Sequence, residues 1–435
     1  MTHQRPADNR TVKVEGLARV EGEGSLRVEV RDGTVETVEL EIFEPPRFFE
    51  AFLQGRRHTE VTDIVARICG ICPVAYQMSA CLALEDACNV TVSDEIATLR
   101  RLLYCGEWIQ SHALHIHFLH APDFFGCADA VELAALDLPA VQRGLEIKKL
   151  GNHIMEVVGG RAIHPVNVRV GGFYKAPARE EISALAEPLR RARDAALTSV
   201  QWVAGFEFPE IELDYRFVSL RHPDHYAIES GRIASSDGID VDAKGIAELV
   251  VENHVAHSTA LHAKLRGEDT YLTGPLSRYA LNSSQLSPIA LEAAAAAGLG
   301  PVCNNPFKSI IVRAVELVYA CDEALRIIAD YEPPDPPSVL VPPTAGIGYG
   351  ATEAPRGMLF HRYALDDDGL VRAARIVPPT SQNQESVEDD LRQVAQANLS
   401  LSDEELTWLC EQTVRNYDPC ISCATHFLDV SVERR

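Results

Sequence analysis

The chain lacks a long apolar run, an apolar leader and a surplus of basic charge, and each absence excludes a class of function. No stretch approaches the roughly 20 apolar residues that a membrane-spanning helix needs. The nearest candidate, Ile289 to Gly300, is alanine-rich and interrupted by Glu292, which fits a buried helix. Met1 to Arg10 is polar and charged, with no hydrophobic segment of the secretory kind, so the expected compartment is the cytoplasm. Forty Lys and Arg stand against sixty-three Asp and Glu, a formal net charge of −23. That balance argues against binding to a nucleic-acid backbone or an anionic membrane surface. Internal repeats and low-complexity segments are absent as well. What remains is globular composition, 46% hydrophobic and 24% charged over 435 residues, enough for a large buried core.

Eleven cysteines, an odd number in a long chain, read as reduced thiols and metal ligands rather than a disulfide framework. Four of them form two pairs with two residues between partners. Cys69 and Cys72 lie in Arg67-Ile-Cys-Gly-Ile-Cys-Pro73, and Cys420 and Cys423 lie in Asp418-Pro-Cys-Ile-Ser-Cys-Ala-Thr-His426. This spacing lets two thiolates face one metal ion, and four thiolates suit soft or borderline transition metals. Structural zinc ribbons keep their pairs close in sequence because the metal replaces a missing core. Here almost the whole chain separates the pairs, so a shared site requires the complete fold and points to catalysis.

The pattern along the chain predicts a mainly α, α+β architecture: one large domain over residues 1–435, a helical-bundle core with an N-terminal β-hairpin and peripheral β segments. Residues 1–10 read as a flexible start. Alternation from Thr11 to Glu44 about Asp32-Gly33 predicts the hairpin. The segment Arg19-Val-Glu-Gly-Glu-Gly24 has two glycines that permit close backbone approach, and Glu21 is either a solvated carboxylate or part of a site. Helical patterning covers Phe48 to Asn89, with the first cysteine pair inside it, and resumes from the cap Ser93-Asp94 to Leu119. His112, His115, His117 and His120 there read as core hydrogen-bonding groups or supports of a metal site, and Cys81 and Cys88 as buried thiols. Further helices are expected over Leu138 to Gly159, Glu180 to Ala204, Ile246 to Leu265 and Pro306 to Tyr331. Short β runs fill Phe208 to Asp242, and Thr273 to Arg278 reads as a turn. Glu332 to Pro343, rich in proline, reads as a connector. Gly346 to Gly350, Glu353 to Gly357 and Pro378 to Asn383 read as loops around strands Met358 to Tyr363 and Leu370 to Ile376. The last helices are Ser386 to Ala397 and Ser402 to Asn416.

With these motifs in view, the chain resembles the large subunit of nickel-iron hydrogenases, closest to the cytoplasmic NAD(P)-linked and sulfhydrogenase-type group. Arg19-Val-Glu-Gly22, Thr273-Gly-Pro-Leu-Ser-Arg278, Glu353-Ala-Pro-Arg-Gly357 and Pro379-Thr-Ser-Gln-Asn383 extend the likeness in the family's order. The resemblance implies a nickel-iron centre with carbon monoxide and cyanide on iron. Cys69 and Cys420 would be terminal nickel ligands, and Cys72 and Cys423 would bridge the two metals. It implies heterolytic cleavage of H2, a proton leaving through Cys420 towards Glu21. Arg356, held by Pro355, would overhang the open position and be oriented by Asp123 and Asp418. Thr380 would bond a cyanide, and Glu50, the carbonyl of Ile376 and His426 would hold Mg2+.

The same resemblance implies partners: an iron-sulfur small subunit, flavin and NAD(P) diaphorase subunits, nickel-insertion factors, and an endopeptidase that removes Phe427 to Arg435. Tyr76 departs from the histidine that many members carry and removes one hydrogen-bond partner of a cluster sulfur. Two other readings stand beside this one: a non-catalytic relative like the quinone-site subunit of complex I, and a structural zinc or iron-sulfur protein.

Overall fold

The structure, a computed structural model, describes residues 9–267 and 270–425. His426 and the segment 427–435, to which the sequence assigns a magnesium ligand and a removable tail, lie outside the described residues.

Long helices form the centre. Asp94–Leu114 packs along Leu138–Gly159 and Ser309–Ala329, and Ser309–Ala329 packs in turn on Ala186–Ala204. Ser93 caps the first of these, accepting a hydrogen bond from Ile96 N, and the helix continues through a wide π turn, His115–His120, into Ala121–Phe124. Buried apolar residues from Val12 to Cys423 make one contiguous core, which places both cysteine pairs in its interior. Strands Arg10–Val14, Gly24–Arg31 and Thr34–Ile42 form an antiparallel sheet in chain order, so the expected hairpin carries a third strand.

Several expectations change. The helical reading of 48–89 breaks into Phe49–Leu53, a 3-10 turn at His58–Glu60, Val61–Val65 and Pro73–Ala87. Cys69 falls in the connection before Pro73, and Cys72 is the residue at the N-cap of the last helix. That helix starts there because Pro73 supplies a fixed φ and needs no amide donor.

Gly346–Ala354 is a strand rather than a loop, paired with Gly357–Leu365, which pairs with Val371–Val377. Its alternate glycines face the Pro73–Ala87 helix: a Cβ on Gly348 would stand 2.0 Å from Ala83 O and one on Gly350 2.5 Å from Ser79 O. Glycine here buys contact with the cysteine helix, not flexibility. Glu353 to Gly357 therefore becomes a hairpin end, Ala354 paired with Gly357 and Pro355-Arg356 at its tip.

The helix expected over 246–265 ends at Leu249, and Val250–Val255 and Ser258–Leu265 form a hairpin. Valines at 250, 251 and 255 favour the pleated surface, and Ala263 and Leu265 pack with Met358, Phe360 and Val377. Pro378 to Asn383 is a helix start, Pro379–Ala397, again with proline in its first turn. Thr273-Gly274 turns directly into the helix Pro275–Asn282. Among the described residues no helix is long and apolar enough to cross a membrane.

Candidate metal centre

The two cysteine pairs, 351 positions apart in sequence, meet inside the core. Cys69 Sγ lies 3.6 Å from Cys420 Sγ, and Cys72 Sγ 3.8 Å from Cys423 Sγ. All four sulfurs fall within 4.8 Å of one another, and all four residues are buried. The donor set fits transition metals of soft or borderline character. Its electrostatics point the same way. Against the cost of burial, the neighbouring sulfurs of Cys420, Cys423 and Cys72 and the charge of Arg356 hold the Cys69 thiol well below its ordinary value. Backbone amides of Ile71 and Cys72 also donate to Cys69 Sγ, at 3.3 and 3.2 Å. Burial and the neighbouring sulfurs push Cys420 well above the ordinary value. One thiolate is thus favoured where a cationic cluster would favour more.

Glu21 reaches this centre along the C-terminal segment. Glu21 N–H donates to Pro419 O and Ile421 N–H to Glu21 O, a short parallel pairing. Gly22 makes the approach possible: at φ 91° it sits where a Cβ would lie 2.6 Å from Ile421 Cβ. The Glu21 side chain accepts hydrogen bonds through Oε2 from Cys420 Sγ at 3.0 Å and from Ser422 N–H at 3.1 Å. The solvated reading of Glu21 gives way to a contact with a cluster sulfur.

Arg356 extends from its hairpin tip to Asp418, donating to the backbone oxygen at 2.7 Å and to Oδ1 at 3.1 Å. Its Nη1 is buried without a hydrogen-bond partner, as is Asp418 Oδ2. Such orphaned groups are costly unless something occupies the space they face, and a metal centre with polar ligands fits that requirement. Arg278 holds the tip from below: its guanidinium donates to Pro355 O and Ala354 O, both at 2.8 Å, and pairs with Glu316 and Glu353. Asn383 bonds Thr273 N and O, and Thr273 Oγ1 accepts Met358 N–H, so three of the sequence motifs lock together around this hairpin. Thr380 Oγ1 accepts Cys420 N–H at 3.1 Å.

Asp123 does not orient Arg356. Its two oxygens are taken by Arg19, at 2.6 Å, and by Arg415, at 2.8 and 2.7 Å, so it ties the Glu21 segment to the last helix. Glu50 accepts Ile376 N–H at 2.7 Å, and burial pushes its carboxyl up to about 8. The four histidines are core groups: His112 pairs with Glu316, His115 with Arg415 O, His117 with Ser199, and His120 packs at a tilt against the rings of His115 and Phe124.

Two residues escape the sequence reading. Glu107, fully buried, accepts the amides of Val74 and Ala75 at 2.6 and 3.0 Å and so fixes the helix end next to Cys72. No local pattern marks it, because its partners lie far away in sequence. Tyr76, counted as a lost hydrogen-bond partner, has a buried Oη without a partner, and burial followed by the nearby sulfurs pushes it well above its ordinary value. A donor therefore remains at that position.

Comparison with known proteins agrees with this geometry. Residues 47–142 and 321–426 match the family described as nickel-dependent hydrogenase. Sulfhydrogenase 1 subunit alpha of Pyrococcus furiosus is 33% identical over 95% of this chain and 97% of that protein. The NAD-reducing hydrogenase HoxS subunit beta of Cupriavidus necator is 26% identical, covering 97% of this chain and 95% of its own length. The crystal structure of an NAD+-reducing NiFe hydrogenase in its H2-reduced state superposes with a TM-score of 0.85 at 27% identity, over 96% of this chain and all of that one. With its two distant cysteine pairs joined in one buried cluster, the chain belongs to the nickel-dependent hydrogenases, as a large subunit.

Proposed function

We propose that Cys69, Cys72, Cys420 and Cys423 would together hold nickel and iron, and that the chain interconverts H2 with protons and electrons. Bound there, the two metals supply a redox-active, electron-accepting pair that polarises H2. The observation that carries the reading is the Cys420–Glu21 contact at 3.0 Å. Cys420 Sγ holds the departing proton, and Glu21 Oε2 receives it within hydrogen-bond reach, as general acid-base transfer demands.

Arg356 keeps a positive charge over the sulfurs, with Nη1 available to a ligand, and Pro355 with Arg278 behind it fixes the position. Thr380, having accepted Cys420 N–H, retains its own hydroxyl proton to donate, which supports a role towards a cyanide on iron beside carbon monoxide. Glu50 with the carbonyl of Ile376 and His426 would hold Mg2+. In support, a buried carboxylate raised to about 8 gains from a divalent cation beside it.

Electrons leave through partners, an iron-sulfur small subunit and beyond it flavin and NAD(P) subunits. The support is the multisubunit naming of the relatives, one of them an NAD-reducing hydrogenase. Nickel-insertion factors and a tail-cleaving endopeptidase belong to the same proposal. So does the cytoplasm, in keeping with eleven cysteines none of which is joined in a disulfide, as a reducing compartment leaves them. H/D exchange by the natively matured complex, with infrared bands of metal-bound carbonyl and cyanide, is the expected result. Zinc as the bound metal with no exchange would refute it.

A further inference from the structure

A second cluster of metal-ligating side chains lies outside the cysteine centre, where the hairpin of Val250–Val255 and Ser258–Leu265 meets the helix Pro379–Ala397. His257 lies between the two strands, His262 on the second, and Glu388 on the helix. One ligand atom from each comes within 4.8 Å of the others.

His262 is the telling member. It is 1% exposed, yet neither ring nitrogen has a hydrogen-bond partner. Its Nδ1 stands 3.5 Å from Glu385 Oε1, without the geometry of a hydrogen bond. Beyond that long contact and the edge-on ring of His257, the buried imidazole has lost its hydration without a hydrogen bond to replace it. The hairpin is also built to bury it. The strand register shifts between Ser258 and His262, and His262 and Ala263 are both buried where simple alternation would expose one.

His257 Nε2 lies 2.8 Å from Glu388 Oε1, an oxygen that also accepts Leu40 N–H at 2.9 Å. Glu385, one turn before Glu388, pairs with Lys264 Nζ at 3.1 Å and so offsets the lysine charge next to the cluster.

We propose that His257, His262 and Glu388 form a second metal site, one that takes a borderline divalent cation of the Zn2+ kind. Two imidazoles and one carboxylate are a ligand set for such an ion, leaving a fourth position for water. The ion would join three elements: the hairpin, the Pro379–Ala397 helix and, through Glu388 and Leu40, the N-terminal sheet. That helix presents Thr380 to Cys420 in its first turn, so the second site braces the wall of the cysteine centre without touching it.

Co2+ is the probe that separates the two centres. Thiolate-bound Co2+ gives intense charge-transfer absorption, whereas imidazole and carboxylate ligation gives only weak visible bands. With Mg2+ in excess to fill the site proposed at Glu50, titration of the full chain is expected to show one thiolate-free equivalent. His257→Asn and Glu388→Gln should each weaken it at least about tenfold, while cobalt binding at the cysteines stays as it was. Both variants keep the fold testable, because His257 is partly exposed and Gln retains an acceptor for Leu40 N–H. Zn2+ should likewise raise the unfolding temperature of the parent chain and not of His257→Asn. Thiolate-type bands alone, or a thiolate-free equivalent bound equally well by both variants, would overturn the proposal.

Discussion

Cys420 Sγ donates to Glu21 Oε2 across 3.0 Å, joining residues 399 positions apart. The contact depends on the backbone pairing of residues 419–421 with Glu21 and on the space that Gly22 leaves for Ile421. A thiol and a carboxylate so placed form a proton path whose receiving end can be altered without removing a metal ligand.

Glu21→Gln keeps the shape and the acceptor for Ser422 N–H but cannot bind a proton at neutral pH. H/D exchange should fall by about 10² to 10⁴, with nickel and iron content unchanged. Unaltered exchange would remove Glu21 from the path.

Arg356→Lys retains a charge but loses the guanidinium fork that engages Asp418 at two points. Turnover should drop about 10² or more, with the fold intact by circular dichroism. Arg278→Leu acts through the same hairpin. By leaving Glu316 and Glu353 buried without their cation, it should cost roughly 3–5 kcal/mol of stability, read from denaturant midpoints.

Gly348→Ala tests the strand-on-helix packing. The added methyl would press on the carbonyl of Ala83, backbone that cannot move cheaply. A loss of at least about 1–3 kcal/mol is expected, with poorer metal retention because the displaced helix carries Cys72 at its start. A variant as stable as the parent would contradict the close approach.

Acid should destabilise the protein through its buried histidines. Burial lowers His117 from 6.5 to about 3, and it stacks on Trp202 as a neutral ring. Between those values the unfolded chain holds the proton and the folded one does not. The stabilising contribution is therefore whole above about pH 6.5 and is lost as pH falls towards 3. His117→Gln should flatten the decline by roughly 1.4 kcal/mol per pH unit within that window, measured by urea unfolding at several pH values. An unchanged slope would refute the assignment.

The sequence made legible what depends on spacing or on long periodicity. The cysteine pairs, the stripe of Ser309–Ala329 and the N-terminal hairpin all announce themselves locally. It misled where a tertiary neighbour reverses a residue's usual meaning. Glycines 346, 348 and 350 look like loop residues until the cysteine helix lies against them, and Pro379 looks like a breaker until it occupies a helix's first turn. Val250 and Leu265, read as helical, pair across a hairpin. Asp123 shows the limit for side chains: the family resemblance assigns it to Arg356, but Arg19 and Arg415 hold both its oxygens. Glu107 had no signal at all, since helix-end amides recruit a carboxylate through space.

The most direct test is nickel-edge X-ray absorption on the natively matured chain, beside Cys69→Ser and Cys420→Ser. Sulfur coordination with an iron neighbour, absent from both variants, is the predicted result. Nickel surrounded by nitrogen and oxygen, or the same spectrum after either substitution, would contradict the joining of the two cysteine pairs around one bimetallic centre.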